Sequence, residues 1–386
     1  MTTSRSSGWQ QCRWSFEPAP QRKAGSGPRL RVLYIESYGS GSHMRVAKLL
    51  QQWSSHDVDL IYLDRAHWRW LALTGHRDIS RAIRALDYDR PDAIICSGPA
   101  DAVKIASGLP GDWGRVPLAV YFHESQWTYP DPKLDPRPYV VGHLDALEAA
   151  DAIWFNSAYH LRVFRLGATT NPSLRVRRLA REIIPATWHK TRVLHPPVQV
   201  DQVARKCGPA DQPVIAWAAR WEREKRPDLF VAAILECIDA GLRPRIQLLG
   251  IPAGVESIAG ELPEAFRQKV TPESGFPTRA DYEAALAESD LWISTAEHEF
   301  FGVAAIEAAM LGATPLLPRA LAYPETLPSA PTYQPGDAGD LARKITSLAT
   351  RRFHQPAPWQ IDARRFQASL VAARFDELVS ELAACR

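Results

Sequence analysis

Cysteines and long apolar segments are both scarce in this sequence. Its 386 residues include five scattered cysteines with no Cys-x-x-Cys pair: Cys12, Cys96, Cys207, Cys237 and Cys385. This odd, dispersed set argues against a disulfide framework and against a structural zinc site. No run of about eighteen apolar residues occurs, so we predict no membrane span. The first residues lack the apolar segment of a secretory signal, and reduced thiols fit a cytoplasmic protein.

An excess of one charge is also lacking. The formal net charge is +3, which excludes a strong overall field for nucleic acid or membranes but leaves room for a local basic patch. One stretch of the first half could follow RNA phosphates, although a solvated helix face explains it equally well. Its cations are Arg175, Arg177, Arg178, Arg181, Lys190 and Arg192.

Short apolar runs alternate with helical patterns from Leu30 onwards. This alternation predicts an α/β fold of two doubly wound, Rossmann-like domains with a ligand cleft between them. We expect a disordered tail over 1–28, an acceptor-side domain over 29–200 and a second, nucleotide-sugar-binding domain over 208–360. A polar linker is expected near 200–212, and a C-terminal helix within 361–386 could pack back on the first domain. The expected strands are 30–37, 57–63, 91–97, 117–123, 152–156, 192–195, 214–218, 245–250, 291–295 and 314–317.

Two motifs of the second half suit a nucleotide-diphospho-sugar. Arg220 and Lys225 follow a predicted strand, where two cations can clamp a pyrophosphate. Further on, Gly302 and Val303 open a helix whose free amides suit a phosphate. Carboxylates at Glu299 and Glu307 could accept hydroxyl hydrogens from the sugar and the ribose. A solvated charged loop explains the first motif alone, but the apolar neighbours of Glu307 indicate a buried carboxylate that needs partners.

In the first half, His123 ends a predicted strand, where it could donate to a sugar hydroxyl or serve as a structural histidine. Gly41, Ser42 and His43 follow another strand and would let a substrate approach the backbone. The loop lacks the third glycine of a dinucleotide fingerprint and the lysine of a P-loop. Trp68 could stack on a base, although aromatic residues more often belong to the core.

Taken together, these residues resemble GT-B glycosyltransferases of the retaining family 4 group. In their order and their place in the second domain, the pair Arg220 and Lys225 and the pair Glu299 and Glu307 resemble that group's donor site. A closer resemblance, from about Arg31 to Glu325, is to the tRNA-queuosine alpha-mannosyltransferase family. Ser40 and Ser125 depart from that family's pattern on the acceptor side. The segments that carry the resemblance are Glu36–His43, His67–Trp70, Tyr121–Glu124, Arg220–Glu222, Ser294–Gly302 and Tyr323–Glu325.

This resemblance implies transfer of mannose from GDP-mannose to queuosine in a tRNA anticodon, with retention at the anomeric carbon. Arg220, Lys225 and the amides near Gly302 would stabilise the leaving diphosphate. Glu299 would hold hydroxyls of the sugar, Glu307 those of the ribose, and His123 would position the sugar near its C6 hydroxyl. No metal or other cofactor is expected, because the two cations would do the work of a divalent ion.

Two other functions remain open from the residues alone. One is a related glycosyltransferase acting on a lipid, a polysaccharide or a small metabolite. The other is a non-catalytic RNA- or nucleotide-binding module on the same scaffold. The joint presence of Arg220, Lys225, Glu299 and Glu307 argues against the second, because a binding module needs no carboxylate facing a sugar.

Overall fold

The computed structural model divides the chain into two compact units. The first joins residues up to Pro197 with a C-terminal segment that begins at Ala368, and the second runs from Val198 to Gln367. The structure describes residues 14–21, 29–64, 68–98, 100–128, 135, 137–201, 212–251, 255–271, 278–349, 351 and 356–385.

The first unit is built on a seven-stranded sheet in the order β1-β3-β2-β4-β5-β6-β7. All neighbouring strands are parallel except β1, which pairs antiparallel with β3. The strands are β1 (Trp14–Glu17), β2 (Arg31–Glu36), β3 (Asp57–Leu63), β4 (Ala93–Ser97), β5 (Leu118–Phe122), β6 (Ala152–Phe155) and β7 (Thr191–Val193).

Helices cover both faces of this sheet, which is why the central strands are continuous apolar runs. Val32 and Tyr34 of β2 pack on one face, whereas Leu33 and Ile35 pack on the other. The helices of this part of the chain are α1 (Gly41–Trp53), α2 (Trp68–Ala85), α3 (Ala102–Ser107), α4 (Arg137–Ala149), α5 (Ala158–Thr169) and α6 (Leu174–Ala186).

The second unit has a five-stranded parallel sheet in the order β12-β11-β10-β8-β9. Its strands are β8 (Val214–Ala218), β9 (Arg245–Leu249), β10 (Leu291–Ile293), β11 (Thr314–Pro318) and β12 (Thr332–Tyr333). Its helices are α7 (Pro227–Asp239), α8 (Glu264–Arg267), α9 (Arg279–Glu288), α10 (Val303–Met310), α11 (Tyr323–Thr326), α12 (Ala338–Ala349) and α13 (Pro358–Arg364).

The C-terminal stretch, expected as one helix over 361–384, is two helices that serve different units. Helix α13 packs on α10 in the second unit, whereas α14 (Ala368–Ala383) packs on α1 in the first. Phe375 and Val379 of α14 fill the core beneath β2. The chain therefore returns to the first unit after the second is complete.

The structure also bears on the expected N-terminal tail, the expected linker and the expected absence of a membrane span. The disordered tail predicted over 1–28 is wrong for Trp14–Glu17, because these residues form β1 and pair with Leu60–Leu63 of β3. Most of the linker expected at 200–212 lies outside the described residues. Within the described part of the chain, no helix is both long and apolar enough to cross a bilayer.

Candidate functional site

The predicted site residues follow the strands at which the order of each sheet reverses. In the first unit this point lies between β2 and β4, and in the second between β8 and β10. Doubly wound sheets bind ligands at the carboxyl ends of these strands, because the adjoining loops diverge there and leave a crevice. Each unit therefore has one candidate site, built from the loops at that edge.

Lys225 and Glu299 meet in the second unit although 74 residues separate them. The Lys225 ammonium donates to Glu299 Oε2 and to the carbonyl oxygen of His298, both at 3.2 Å. Thr295 fixes the lysine's backbone by donating to its carbonyl oxygen at 2.7 Å, and Trp217 Nε1 donates to the Thr295 hydroxyl at 3.0 Å. The cation is thus held on a braced loop before any substrate binds.

Gly302 links this ion pair to the start of α10. Its amide donates to Glu299 Oε1 at 3.2 Å, so the carboxylate caps the positive end of the helix. The Gly302 φ angle is 88°, and a Cβ at this position would lie 2.8 Å from Cε1 of Tyr323. Glycine is therefore required for two reasons: other residues disfavour this φ angle, and a Cβ would collide with the Tyr323 ring. The Gly302 amide, expected to be free for a phosphate, is already bonded, while Val303 begins the helix one residue later.

Arg220 is exposed and engaged by acids of its own loop. Its guanidinium lies 2.9 Å from Glu222 Oε1 and 3.7 Å from Glu224 Oε1. Burial, and then the hydrogen bond with Glu224, raise the pKa of Glu222 to about 7. To bind a phosphate, Arg220 must exchange these carboxylates for it, whereas Lys225 is already positioned.

Glu307 has the protein partners that its apolar surroundings predicted. Arg279 Nη2 lies 2.8 Å from Glu307 Oε1, and the Tyr282 hydroxyl donates to Glu307 Oε2 at 3.1 Å. Both partners come from α9, which sequence spacing did not connect to Glu307. Each carboxylate oxygen can accept more than one hydrogen bond, so a role toward ribose stays a prediction.

A small pocket that the sequence did not predict lies beside this loop, with a volume of about 170 Å³. Arg226 and Leu321 line it, and they are the two non-glycine residues with positive φ among those described, at 50° and 63°. Arg226 is held by Asp228 at 2.7 Å and by Glu297. Strained backbone of this kind persists where surrounding contacts enforce it.

In the first unit, His123 directly follows β5 and is 7% exposed. Its ring packs on Tyr121 at 4.2 Å and on His43 at 4.9 Å, measured between ring centroids. Burial, and then the charge of His43, hold the pKa of His123 well below its usual value. The ring is therefore neutral and can donate or accept a hydrogen bond.

His43 lies between two carboxylates that the sequence motif contained but that we assigned no role. Its Nδ1 is 3.6 Å from Glu36 Oε1, and its Nε2 is 3.9 Å from Glu124 Oε1. Burial alone would lower the pKa of His43, but these charges outweigh it and raise the pKa to about 10. The signal in the sequence was Glu36 itself, an acid that ends an otherwise apolar strand.

Glu36, His43 and His123 also form the one group in the described residues whose side chains could hold a metal ion. One oxygen or nitrogen atom of each lies within 4.8 Å of the others. We expected no metal because Arg220 and Lys225 of the second unit would do the work of a divalent ion. The group of Glu36, His43 and His123 lies in the first unit, and that expectation did not rest on these residues.

The remaining acceptor-side residues differ in position. Gly41 and Ser42 are exposed at the start of α1, where Gly41 has a φ angle of 59° and open space around its Cα. Trp68 begins α2, and its side chain lies outside the described part of the chain. Ser125, which departs from the family pattern, is buried, and its hydroxyl lies 2.7 Å from Nε2 of His160.

In the basic stretch of the first unit, Arg177 and Lys190 are half-buried, and the other four cations are exposed. Arg177 and Lys190 donate to backbone carbonyl oxygens nearby, and so does Arg192. Arg175 and Arg178 are exposed on α6. The buried face of α6 packs on α4 and α5, which explains its amphipathic pattern.

Residues 31–198 match the family model described as tRNA-queuosine alpha-mannosyltransferase N-terminal. This part of the chain is therefore similar to the N-terminal domain of that family. A Drosophila melanogaster tRNA-queuosine alpha-mannosyltransferase is 28% identical over 337 residues, covering 81% of this chain and 85% of that relative. The resemblance predicted from the motifs is confirmed, and the chain is a glycosyltransferase.

Solved structures confirm the predicted GT-B fold. A sucrose-phosphate synthase from Thermosynechococcus elongatus has a TM-score of 0.67 at 14% identity, covering 93% of this chain and all of that one. Anabaena HepE in complex with UDP and glucose has a TM-score of 0.61 at 14% identity, with 91% and 100% coverage. At these identities the likeness establishes the fold alone.

Proposed function

We propose that this protein transfers mannose from GDP-mannose to queuosine in a tRNA anticodon, with retention at the anomeric carbon. The observation that carries the proposal is the family match over 31–198. The alignment with the Drosophila melanogaster relative, whose name states this activity, covers most of both chains. This coverage supports extending the proposal to the second unit. In this proposal the first unit is the acceptor side and the second binds the donor.

The second unit supports a nucleotide-diphospho-sugar donor through the geometry of Lys225. An ammonium has three donors, and Glu299 and the carbonyl oxygen of His298 receive two of them. The third would reach the diphosphate and stabilise the charge that develops as the sugar leaves. Because the loop is braced beforehand, little reorganisation is required at the moment of reaction. Anabaena HepE, which shares the fold, binds UDP-glucose.

Glu299 joins the two halves of this donor site. It positions Lys225 through Oε2 and the start of α10 through Oε1. Its remaining lone pairs would accept hydrogens from hydroxyls of the transferred sugar. The leaving phosphate oxygen would itself take the acceptor proton, so that the C–O bond to the acceptor forms as the bond to the diphosphate breaks. Arg220 would join after exchanging Glu222 and Glu224 for the phosphate.

A basic surface on α5 and α6 supports an RNA acceptor. These helices carry six arginines and one glutamate, while the whole chain has a net charge of only +3. Positive charge is therefore concentrated here, as a phosphate backbone requires. Trp188 is 47% exposed beside this surface, with the Arg165 guanidinium 4.6 Å from its ring centroid. Such a pair suits an unstacked base.

One experiment tests donor and acceptor together. The protein is incubated with GDP-mannose or UDP-glucose, plus tRNA from cells with or without queuosine, and the nucleosides are analysed by mass. We expect a hexose on queuosine only with GDP-mannose and only in queuosine-containing tRNA. Transfer to lipid extracts but not to tRNA would redirect the proposal to a lipid acceptor. Absence of both transfer and donor hydrolysis would favour a binding module.

A further inference from the structure

The acceptor-side loops enclose buried polar atoms that lack protein partners. Glu36 Oε2, Ser97 Oγ and His123 Nε2 have no hydrogen-bond partner among the described residues. Glu36 is 1% exposed and His123 is 7% exposed. These atoms follow or end β2, β4 and β5, and Glu36 is aligned with Ser97 across the sheet. They therefore surround the point where the order of this sheet reverses.

Such atoms are rare in folded proteins because each carries a desolvation cost of about 1–3 kcal/mol when it is left unbonded. The structure keeps the Glu36 carboxylate in place by specific contacts. The Tyr38 amide donates to Glu36 Oε1 at 2.8 Å, so this contact fixes the carboxylate without using Oε2. A Cβ at Gly98 would lie 2.4 Å from Glu36 Oε1, so only glycine leaves room for the carboxylate.

The polar atoms around this group suit a ligand with adjacent hydroxyls. A carboxylate oxygen accepts hydrogen bonds, and an imidazole nitrogen can donate or accept one. A hydroxyl can both donate and accept, so one hydroxyl can pair with Glu36 Oε2 while its neighbour pairs with an imidazole.

We propose that Glu36, His43 and His123 form a binding site for two adjacent hydroxyls of the acceptor, such as the diol on the cyclopentene ring of queuosine. One hydroxyl donates to Glu36 Oε2, and the other pairs with His123 Nε2, which in this proposal contacts the acceptor instead of the C6 hydroxyl of the transferred sugar. This inference rests on the proposed function for the identity of the acceptor. It assigns Glu36 as the residue that distinguishes a diol-bearing base from its precursors.

The test compares full-length wild-type protein with Glu36→Gln, which keeps the side chain's size but removes its charge. Binding is measured by salt-controlled titration of two tRNAs, one with queuosine and one with the 7-aminomethyl precursor base that lacks the diol. We expect the wild type to prefer the queuosine tRNA by about 10- to 100-fold, the range for a hydrogen bond to a charged group. Glu36→Gln should bind both tRNAs equally, with unchanged affinity for GDP-mannose.

The outcomes separate this inference from the proposed function. If the wild type glycosylates queuosine but Glu36→Gln retains the full preference, the diol site is refuted and the function stands. If the wild type neither transfers mannose nor prefers queuosine, the function fails. A stoichiometric metal in the purified wild type that is absent from Glu36→Gln would replace the diol site by a metal site.

Two controls keep the test decisive. Glu377→Gln removes an exposed carboxylate from α14 in the same unit and should leave both affinities unchanged. Circular dichroism and thermal unfolding establish that Glu36→Gln is folded. If it is not, His123→Asn tests the same site and should reduce the preference for the diol, whereas an unaltered preference would refute the proposal.

Discussion

Replacing Lys225 by methionine tests the donor site at its most constrained contact. Methionine keeps much of the apolar stem and removes the ammonium that donates to Glu299 and His298 at 3.2 Å. The Lys225 and Glu299 side chains are 19% and 28% exposed, so the ion pair is mostly but not fully desolvated. The variant therefore affects both stability and catalysis, by amounts that can be estimated separately.

Hydrogen bonds to charged groups contribute about 1.5–3 kcal/mol each, and water can partly replace the lost donor at the exposed edge of Glu299. We expect the free energy of unfolding to fall by about 1–2 kcal/mol. Loss of one preorganised donor to a developing negative charge costs about 10²- to 10³-fold in kcat. The catalytic effect should thus exceed the effect on stability, with little change in KM for the tRNA.

Arg223→Met is the matched control, because Arg223 lies on the same short helical turn, is exposed and carries the same charge. Both variants are compared by urea unfolding and by mannose transfer at saturating donor. Arg223→Met should change the free energy of unfolding by less than about 0.5 kcal/mol and leave kcat nearly unaltered. Equal losses of kcat in the two variants, or normal turnover by Lys225→Met, would refute a specific role for this ammonium.

Three further results are expected. Arg175, Arg178 and Arg181 changed together to glutamine should weaken tRNA binding and lower the slope of log affinity against log salt by about 3; an unchanged slope would place the RNA elsewhere. Because the folded-state pKa of His43 is raised to about 10, its stabilising contribution is complete below pH 6.5 and is lost as pH rises toward 10. Unfolding of the wild type should therefore show a decline of up to about 1.4 kcal/mol per pH unit in that range that is absent from His43→Gln. Gly302→Ala should destabilise the second unit by about 1–3 kcal/mol, because φ is 88° and Tyr323 occupies the space of a Cβ; a neutral result by thermal unfolding would show that the loop readily rearranges.

The strands were predictable because both faces of each sheet are covered. Segments 57–63 and 214–218 are rich in apolar residues, and the structure gives these strands the same bounds. Trp14–Glu17 gave no such signal, since β1 is a half-buried edge strand within a polar segment. The division of the C-terminal stretch at 365–367 was equally hidden, because both of its helices bury apolar faces.

The candidate site could also be predicted only in part from the sequence. Motif spacing identified Lys225, Glu299 and Glu307, but it could not show that Lys225 contacts Glu299 or that α9 supplies Arg279 to Glu307. Those contacts depend on which loops the sheet order brings together. Glu36 was visible as an acid at the end of an apolar strand, but its importance depends on the missing partner of Oε2, which only three-dimensional structure reveals.

The last helix has a consequence for how the protein is made. Helix α14 supplies Phe375 and Val379 to the core of the first unit, and its Asp376 accepts hydrogen bonds from Ser54 Oγ at 2.5 Å and the Ser55 amide at 2.7 Å. A ribosome synthesises α14 only after the entire second unit has been translated. The first unit must therefore wait with an uncovered apolar face during translation, while the second can fold as soon as α13 is free. The domain that is translated first is thus the last to be completed.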